Sequence, residues 1–158
     1  MFSGCCLMEV KMSLFEKMCP TAIVPKRGTT GSAGYDLFPL DNLNGITIPA
    51  HDGGEPFIIR TGIKVNIPEG WVGLIQDRSS TGKKSIMRFM GVIDSDYRDM
   101  EILVGLVNFN KTDFVIVPGK AMAQMVIVPH YIDPSEMVNI VRTGGFGSTD
   151  VTVKENAV

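Results

Sequence analysis

Apolar and polar positions trade places over short distances along most of this chain. "FIIRTGIKVNIP" (57–68), "WVGLIQ" (71–76), "EILVGLVNFN" (101–110), "FVIVPG" (114–119) and "AMAQMVIVPHYI" (121–132) are short, partly alternating and rich in valine and isoleucine. Such runs suit pleated, half-buried surfaces. "PEGW" (68–71), "NKTD" (110–113) and "VPGK" (117–120) supply turn residues between them. No window keeps the i, i+3, i+4 apolar spacing of a core helix. "DPSEMVNIV" (133–141) offers a turn or two at most, with Asp133 or Ser135 as the cap. No repeat and no linker divides the body. The pattern predicts an all-β domain, a barrel or a jelly-roll-like sandwich.

The two ends depart from this texture. Residues 1–20 hold all three cysteines, Cys5, Cys6 and Cys19, with Met8, Met12 and Met18, and "MFSGCCLMEV" lacks the basic start of a signal peptide. We expect this stretch to lie outside the fold as a mobile extension, with the body over 21–141. Near Gly144 the chain turns to "GGFGSTD" (144–150), three glycines around one phenylalanine. Such a segment has no apolar face of its own to bury, so residues 142–158 read as an arm that orders on something else.

The 158 residues suffice for one domain with a real core. A net charge of −2 argues against general nucleic-acid binding, so any bound anion belongs in a local pocket. No run approaches the ~20 apolar residues of a membrane helix. With no cysteine in the body, a disulfide framework is excluded, which points to a reducing compartment such as cytosol or nucleus.

Candidate chemistry clusters in a few stretches. In "GVIDSDYRD" (91–99) an apolar strand ends directly on Asp94, and Tyr97 follows three residues later. A plain reading is a hairpin with Asx caps. A functional reading fixes Asp94 at a pocket mouth as a proton acceptor, with Tyr97 offering an aromatic face. "DRSSTGKKS" (77–85) combines hydroxyls, backbone amides and cations able to cradle phosphate. It is not a P-loop: Asp77 stands where the first glycine belongs and Lys84 where the Ser/Thr belongs. Asp36 in "GSAGYDLF" (31–38) suits a tight turn entering a strand. Gln124, inside an apolar run, must be hydrogen-bonded to backbone or to a ligand. Phe146 between glycines suits either a disordered tail or a lid. His51 and His130 lack partners at metal spacing, so a zinc site is not expected. Mg²⁺ needs few protein ligands and can arrive on substrate phosphates.

In order, "AGYDLF", "DRSS", "GVIDSDYRD", "AMAQM" and "GGFGST" resemble the five motifs of the homotrimeric dUTP diphosphatases, from about Thr21 to Thr149. The resemblance implies a β-clip, a distorted jelly-roll-like barrel, and a homotrimer with three sites at subunit contacts. One chain would supply the first, second and fourth motifs, a second the third, and the exchanged C-terminal arm of another would close the site. It implies that Asp94 meets the deoxyribose 3′-hydroxyl and orients the attacking water, and that Tyr97 packs beneath the sugar. The hairpin that Gly91 opens would read uracil with main-chain groups. Arg78, Ser79, Ser80 and Gln124 would hold phosphates, and Asp36 would support the water and metal network. Phe146 would stack on uracil, Gly147 and Ser148 would contact substrate beside it, and Arg142 would meet the outer phosphate. The implied activity is hydrolysis of dUTP to dUMP and pyrophosphate, with Mg²⁺ held through the substrate phosphates.

This chain departs from that pattern at several points. Asp77 replaces an apolar or proline residue and offers an ion pair to Arg78. Asp99 stands at a common glycine, Ala121 at a common arginine and Asp150 at a closing glycine. "VRTGGF" (141–146) brings Arg142 one residue nearer Phe146 than the usual arm does. Two alternatives stay open: a dCTP deaminase or bifunctional relative on the same fold, which needs a catalytic glutamate, and a non-catalytic nucleotide-binding member.

Overall fold

A computed structural model describes residues 13–40, 43–89, 91–136, 142, 144 and 145. In chain order the strands are β1 (Phe15–Lys17), β2 (Lys26–Arg27), β3 (Tyr35–Leu37), β4 (Ile46–Ile48), β5 (Phe57–Val65) and β6 (Trp71–Gln76). A single-turn helix, α1 (Ser79–Gly82), precedes β7 (Ile86–Arg88), β8 (Val92–Ile93), β9 (Glu101–Asn108), β10 (Phe114–Ile116) and β11 (Ala123–Pro129). One antiparallel sheet runs β1-β5-β9-β7, a second β2-β3-β11-β6-β8, and β4 pairs with β10 as a ribbon. One core cluster draws on all three: Ile63, Ile102 and Leu106 from the first, Leu37, Ile75 and Met125 from the second, Ile48 and Ile116 from the ribbon. The all-β expectation holds. Among the described residues no helix is long and apolar enough to cross a membrane.

Alternation is clearest in β6, whereas the second half of β9 is buried on both faces. β6 is "WVGLIQ" as predicted, with Gly73 and Ile75 buried between less buried neighbours. The turn before it closes through Trp71 N–H donating to the Pro68 carbonyl at 3.1 Å, with Gly70 at φ +78°. Only glycine takes that left-handed angle without strain.

β5 carries an irregularity that reaches toward the site. Its register on β9 shifts between Arg60 and Lys64, where Gly62 turns to φ +66°. The displaced donors find side chains instead: Glu101 accepts from Gly62 N–H at 2.6 Å and from Arg60 Nε at 2.9 Å. Thr61 is buried, accepts from Ile63 N–H and donates to the Ile102 carbonyl. Glu101 and Thr61 thus supply acceptors for the Gly62 and Ile63 amides at the break.

The body begins earlier than the sequence reading placed it. Phe15 is buried and meets Tyr35 edge-on at 5.2 Å between centroids. Met18 N–H donates to the Gly62 carbonyl, and Asn66 N–H to the Leu14 carbonyl. Residues 13–20 thus belong to the fold. β1 is only three residues long, too short for alternation to show, and takes its conformation from the edge of β5 that it covers. Residues 1–12 lie outside the described residues. At the other end, Ser135 N–H and Oγ both donate to Asp133 Oδ1, so Asp133 makes the expected cap as an Asx turn.

Candidate active site

The residues singled out in the sequence gather in two groups, and each forms where strands end. The first lies at the end of β6. Antiparallel pairing sets Gln124 of β11 between Asp36 of β3 and Gln76 of β6. Asp36 therefore sits one strand away from the exit of β6, where Arg78 begins the turn. Arg78 donates from Nε to Asp36 Oδ1 at 2.8 Å and from Nη2 to Oδ2 at 3.2 Å. Its Nη1 donates to Ser80 Oγ at 3.3 Å and to the Ala121 carbonyl at 3.2 Å. Four of the five guanidinium N–H bonds are thus committed within the described residues, and one, on Nη2, remains for an incoming oxygen.

Arg78 also precedes the helical turn α1, whose first residue has no side-chain cap. The amides of Ser79 and Ser80 have no intrahelical acceptor there, and both residues are exposed. Gln124 Nε2 donates to the Asp77 carbonyl at 2.9 Å, so its amide has the backbone partner that burial demands. Gly34 makes room for it, since a Cβ there would overlap the Gln124 carboxamide. Gly28, Ser32, Gly34, Asp36, Arg78, Ser79, Ser80 and Gln124 line one open groove of about 320 Å³.

The ion pair offered by Asp77 to Arg78 does not form. Asp77 Oδ1 accepts instead from the Arg88 N–H at 2.7 Å, tying the turn to β7, while Asp36 takes the guanidinium. A carboxylate on β3, across the intervening β11, meets both fork nitrogens at once, which the adjacent residue in sequence does not.

The second group lies at the end of β8. Val92 and Ile93 pair with β6, and Ile75 N–H donates to the Gly91 carbonyl at 2.8 Å. A Cβ on Gly91 would stand 2.9 Å from the Ile75 carbonyl oxygen, so the backbone approach requires glycine. Past Ile93 the chain leaves the strand at Asp94 and turns, with Tyr97 N–H donating to the Asp94 carbonyl at 3.1 Å. That turn carries the acid at a surface edge and drops the phenol into the core. Tyr97 is buried, and its hydroxyl donates to the Glu101 carbonyl at 3.0 Å. Burial pushes the phenol above its ordinary pKa; Arg142 opposes this and Glu101 adds to it. The ring is therefore neutral at physiological pH and remains a donor.

Asp99 closes the stretch at φ +60°, an angle that aspartate tolerates better than most residues. This accounts for an acid where the family motif has glycine. Its carboxylate meets Lys64 Nζ at 2.9 Å. Ile75, Gly91, Val92, Ile93, Tyr97, Leu103, Arg142 and Gly145 line a cavity of about 180 Å³.

Arg142 lands on the acids rather than in the groove. Its Nη2 meets Asp94 Oδ2 at 2.6 Å and its Nε meets Asp96 Oδ1 at 2.8 Å. The structure brings Asp36, Arg78, Ser79, Ser80 and Gln124 together in the groove, and Gly91, Tyr97 and Arg142 around the cavity; Asp94 is tied to that cavity through Arg142 and does not line it. The two cavities share no lining residue. Phe146, Gly147 and Ser148 lie outside the described residues. Sequence reading missed Asp96, Ile75 and Leu103. Asp96 was visible as an acid two residues from Asp94; the other two reach the cavity from separate strands and carry no local signal.

Three comparisons with known proteins bear on the family. The dUTPase family model matches residues 21–150. A deoxyuridine 5′-triphosphate nucleotidohydrolase of Rickettsia felis is 37% identical, the match covering 92% of this chain and 99% of that one. The enzyme of the same name from Hydrogenobaculum is 36% identical, covering 86% and 96%. Among solved structures, the Staphylococcus bacteriophage 80alpha dUTPase superposes with a TM-score of 0.66 at 23% identity, covering 80% of this chain and 95% of that one. The EIAV dUTPase superposes at 0.63 with 25% identity, covering 79% and 94%. These neighbours share the jelly-roll-like β fold. With a family model matched over residues 21–150 and relatives 36% and 37% identical over most of both chains, the chain belongs to the dUTPase family.

Proposed function

We propose that this protein hydrolyses dUTP to dUMP and pyrophosphate, with Asp94 activating the water that attacks the α-phosphorus. One observation carries the reading: the buried Tyr97 ring lines a small cavity, and one turn before it the strand-end carboxylate of Asp94 pairs with Arg142, which lines the same cavity. Tyr97 forms the floor on which the deoxyribose rests, with no space for a 2′-hydroxyl. The backbone of the Gly91 hairpin reads uracil. Relatives named as deoxyuridine triphosphate nucleotidohydrolases support the substrate, as does an 80alpha dUTPase structure solved with dUPNHPP. Such activity keeps uracil out of DNA and supplies dUMP for dTMP synthesis.

Asp94 as general base contributes about 10²–10⁴ in rate. Arg78, held rigid by Asp36, directs its remaining N–H at a phosphate oxygen, and the Ser79 and Ser80 amides and hydroxyls add donors. Gln124 stands beside them. Groups fixed before the reaction stabilise developing charge without reorganising. Phe146, Gly147 and Ser148 of the arm complete the site over the base and phosphates.

Among the described residues no three His, Cys, Asp or Glu side chains converge, and Asp36, the carboxylate lining the groove, is committed to Arg78. This donor set fits a Mg²⁺ carried on the triphosphate rather than caged by protein. When bound, the ion offsets charge on the phosphates. A structural Mg(II) ion is reported for the phage phi11 dUTPase.

The phosphate groove and the nucleoside cavity are separate within one chain, so we place each complete site between copies of a homotrimer. Val92, exposed and lining the nucleoside cavity, and the exposed Met87 and Phe89 of the β7 region supply apolar surface for that contact. A deaminase reading is disfavoured: no glutamate lines the nucleoside cavity among the described residues, and the Glu101 carboxylate is spent on the β5 bulge.

Pyrophosphate release measured side by side on dUTP, dTTP, dCTP and UTP, with and without Mg²⁺, tests the proposal. Release from dUTP alone supports it. Ammonia from dCTP, or no turnover at all, refutes it. Asp94→Asn with unchanged release refutes the assigned base.

A further inference from the structure

We infer that the residues following the arm motif, 150–158, dock in a cationic cavity beside the phosphate groove of the chain whose site the arm closes. The inference rests on the proposed reading of the arm as a lid exchanged between copies. The cavity, of about 400 Å³, takes an apolar wall from Phe114, Val115, Ile116 and Val117 and positive charge from Lys84 and Lys120. It shares Arg78 and Ser80 with the phosphate groove, so the two adjoin. Alternation along β10 turns Ile116 into the core and leaves Val115 half-exposed; Val117 beyond it is half-exposed too. Covering such side chains with an apolar partner is favourable. Lys84 lies over the Phe114 ring, 5.4 Å from its centroid. Among the described residues neither Lys84 nor Lys120 meets a carboxylate, whereas Arg78 is taken by Asp36. A bare phosphate would use the lysines and leave the valine wall wet. An extended peptide with alternating apolar residues and an acid uses both.

The chain carries such a segment. Residues 150–158 read "DVTVKENAV" and lie outside the described residues. In extended backbone Val151, Val153 and Glu155 share one side, and Lys154 falls on the other. That side offers two valines to the wall and one carboxylate to the lysines, with Asp150 as a second acid where the segment starts. In the proposed site Gly147 and Ser148 stand at the phosphates, beside Arg78 and Ser80. A chain leaving the groove past those two side chains enters the cavity that shares them. From Ser148 to Glu155 an extended chain reaches up to about 23 Å, enough to cross a cavity of this size. Docking adds apolar burial and ion pairing to the closed arm alone, so it strengthens nucleotide binding without touching the reacting atoms.

Hydrogen exchange of the full-length protein, read with a non-hydrolysable dUTP analogue bound, tests the inference; trimer content and thermal midpoint are checked for each variant. Amides 151–157 should exchange about tenfold or more slower than in a free peptide. Val115→Glu and Val153→Asp should each abolish that protection and raise KM for dUTP by about three- to tenfold, with kcat within about twofold of wild type. Combined, they should be no worse than the stronger single change, because both break one contact. Lys84→Glu with Lys120→Glu should raise KM by about two- to fivefold, and adding Glu155→Lys should recover part of the loss. The inference is overturned if the tail amides exchange as in a free peptide, or if the two valine variants add. It is also overturned if the reversed lysines raise KM and weaken inhibition by inorganic pyrophosphate while tail exchange stays unchanged, which would make the cavity a phosphate site. Exchange needs no turnover, so the two readings separate. A protected tail in a protein that releases no pyrophosphate upholds the docking and refutes the function, and an unprotected tail in an active enzyme refutes the docking alone.

Discussion

Replacing Asp36 with asparagine tests whether Arg78 is held by its neighbour on β3 or whether Asp36 serves a metal network instead. Asparagine keeps the shape of the side chain and removes the charge. One acceptor still faces Nε or Nη2, but the amide NH₂ then faces the other nitrogen, donor against donor. One of the two contacts, at 2.8 and 3.2 Å, is lost, and the survivor loses its charge assistance. A hydrogen bond to a charged group contributes about 1.5–3 kcal/mol. The pair is partly open, with side chains 30% and 20% exposed, so solvent screening reduces the expected loss to about 1–2 kcal/mol. For a domain of this size that lowers the melting temperature by about 2–8 °C, read at fixed protein concentration because assembly also contributes. In kinetics, a guanidinium no longer held by four bonds should lower kcat/KM for dUTP by about tenfold, equivalent to about 1.4 kcal/mol. If Asp36 acts through Arg78, the defect is independent of Mg²⁺ concentration. Recovery of wild-type rates at high Mg²⁺, or a melting temperature and kcat/KM unchanged from wild type, would refute the reasoning.

Phe15→Ala is expected to cost about 3–5 kcal/mol by opening a cavity beside Tyr35; unfolding in urea checks this, and a neutral result would return residues 13–20 to the status of a loose extension. Gly34→Ala should leave the melting temperature nearly unchanged but displace Gln124 from the Asp77 carbonyl, so steady-state assays should show a raised KM for dUTP. The Lys64–Asp99 contact makes a prediction about pH. Its hydrogen bond to Lys64 holds the Asp99 carboxyl below 3.8, so that contribution is present above that pH and fades as acid protonates the native acid. Asp99 in turn raises Lys64 above 10.5, a contribution present below that pH and lost as base titrates the native amine. The melting-temperature gap between wild type and Asp99→Asn should therefore be flat across neutral pH, close at both extremes and shrink with added salt.

Much of this protein follows from residues within a few positions of one another. Strand character depends on side chains alternating across a pleat, so β6 and the cores of β5, β9 and β11 were legible in runs such as "WVGLIQ". Turns depend on one backbone angle or one cap, so "PEGW" and the Asp133 cap were legible too. The five motifs named the reactive residue types in their order. What no local window contains is partnership across the fold. Strand pairing brings Asp36 to Arg78 across 42 residues and gives Asp77 to Arg88 instead. It draws a three-residue strand, β1, out of an N-terminal stretch without alternation because β5 has an edge to cover. It splits the motifs between two cavities, and it sets Arg142 on Asp94 and Asp96, 48 and 46 residues away. Sequence decides which groups are present and which local shapes they favour. Only the packed sheets decide which groups meet, because a hydrogen bond is made at about 3 Å while the chain between its partners runs through tens of residues.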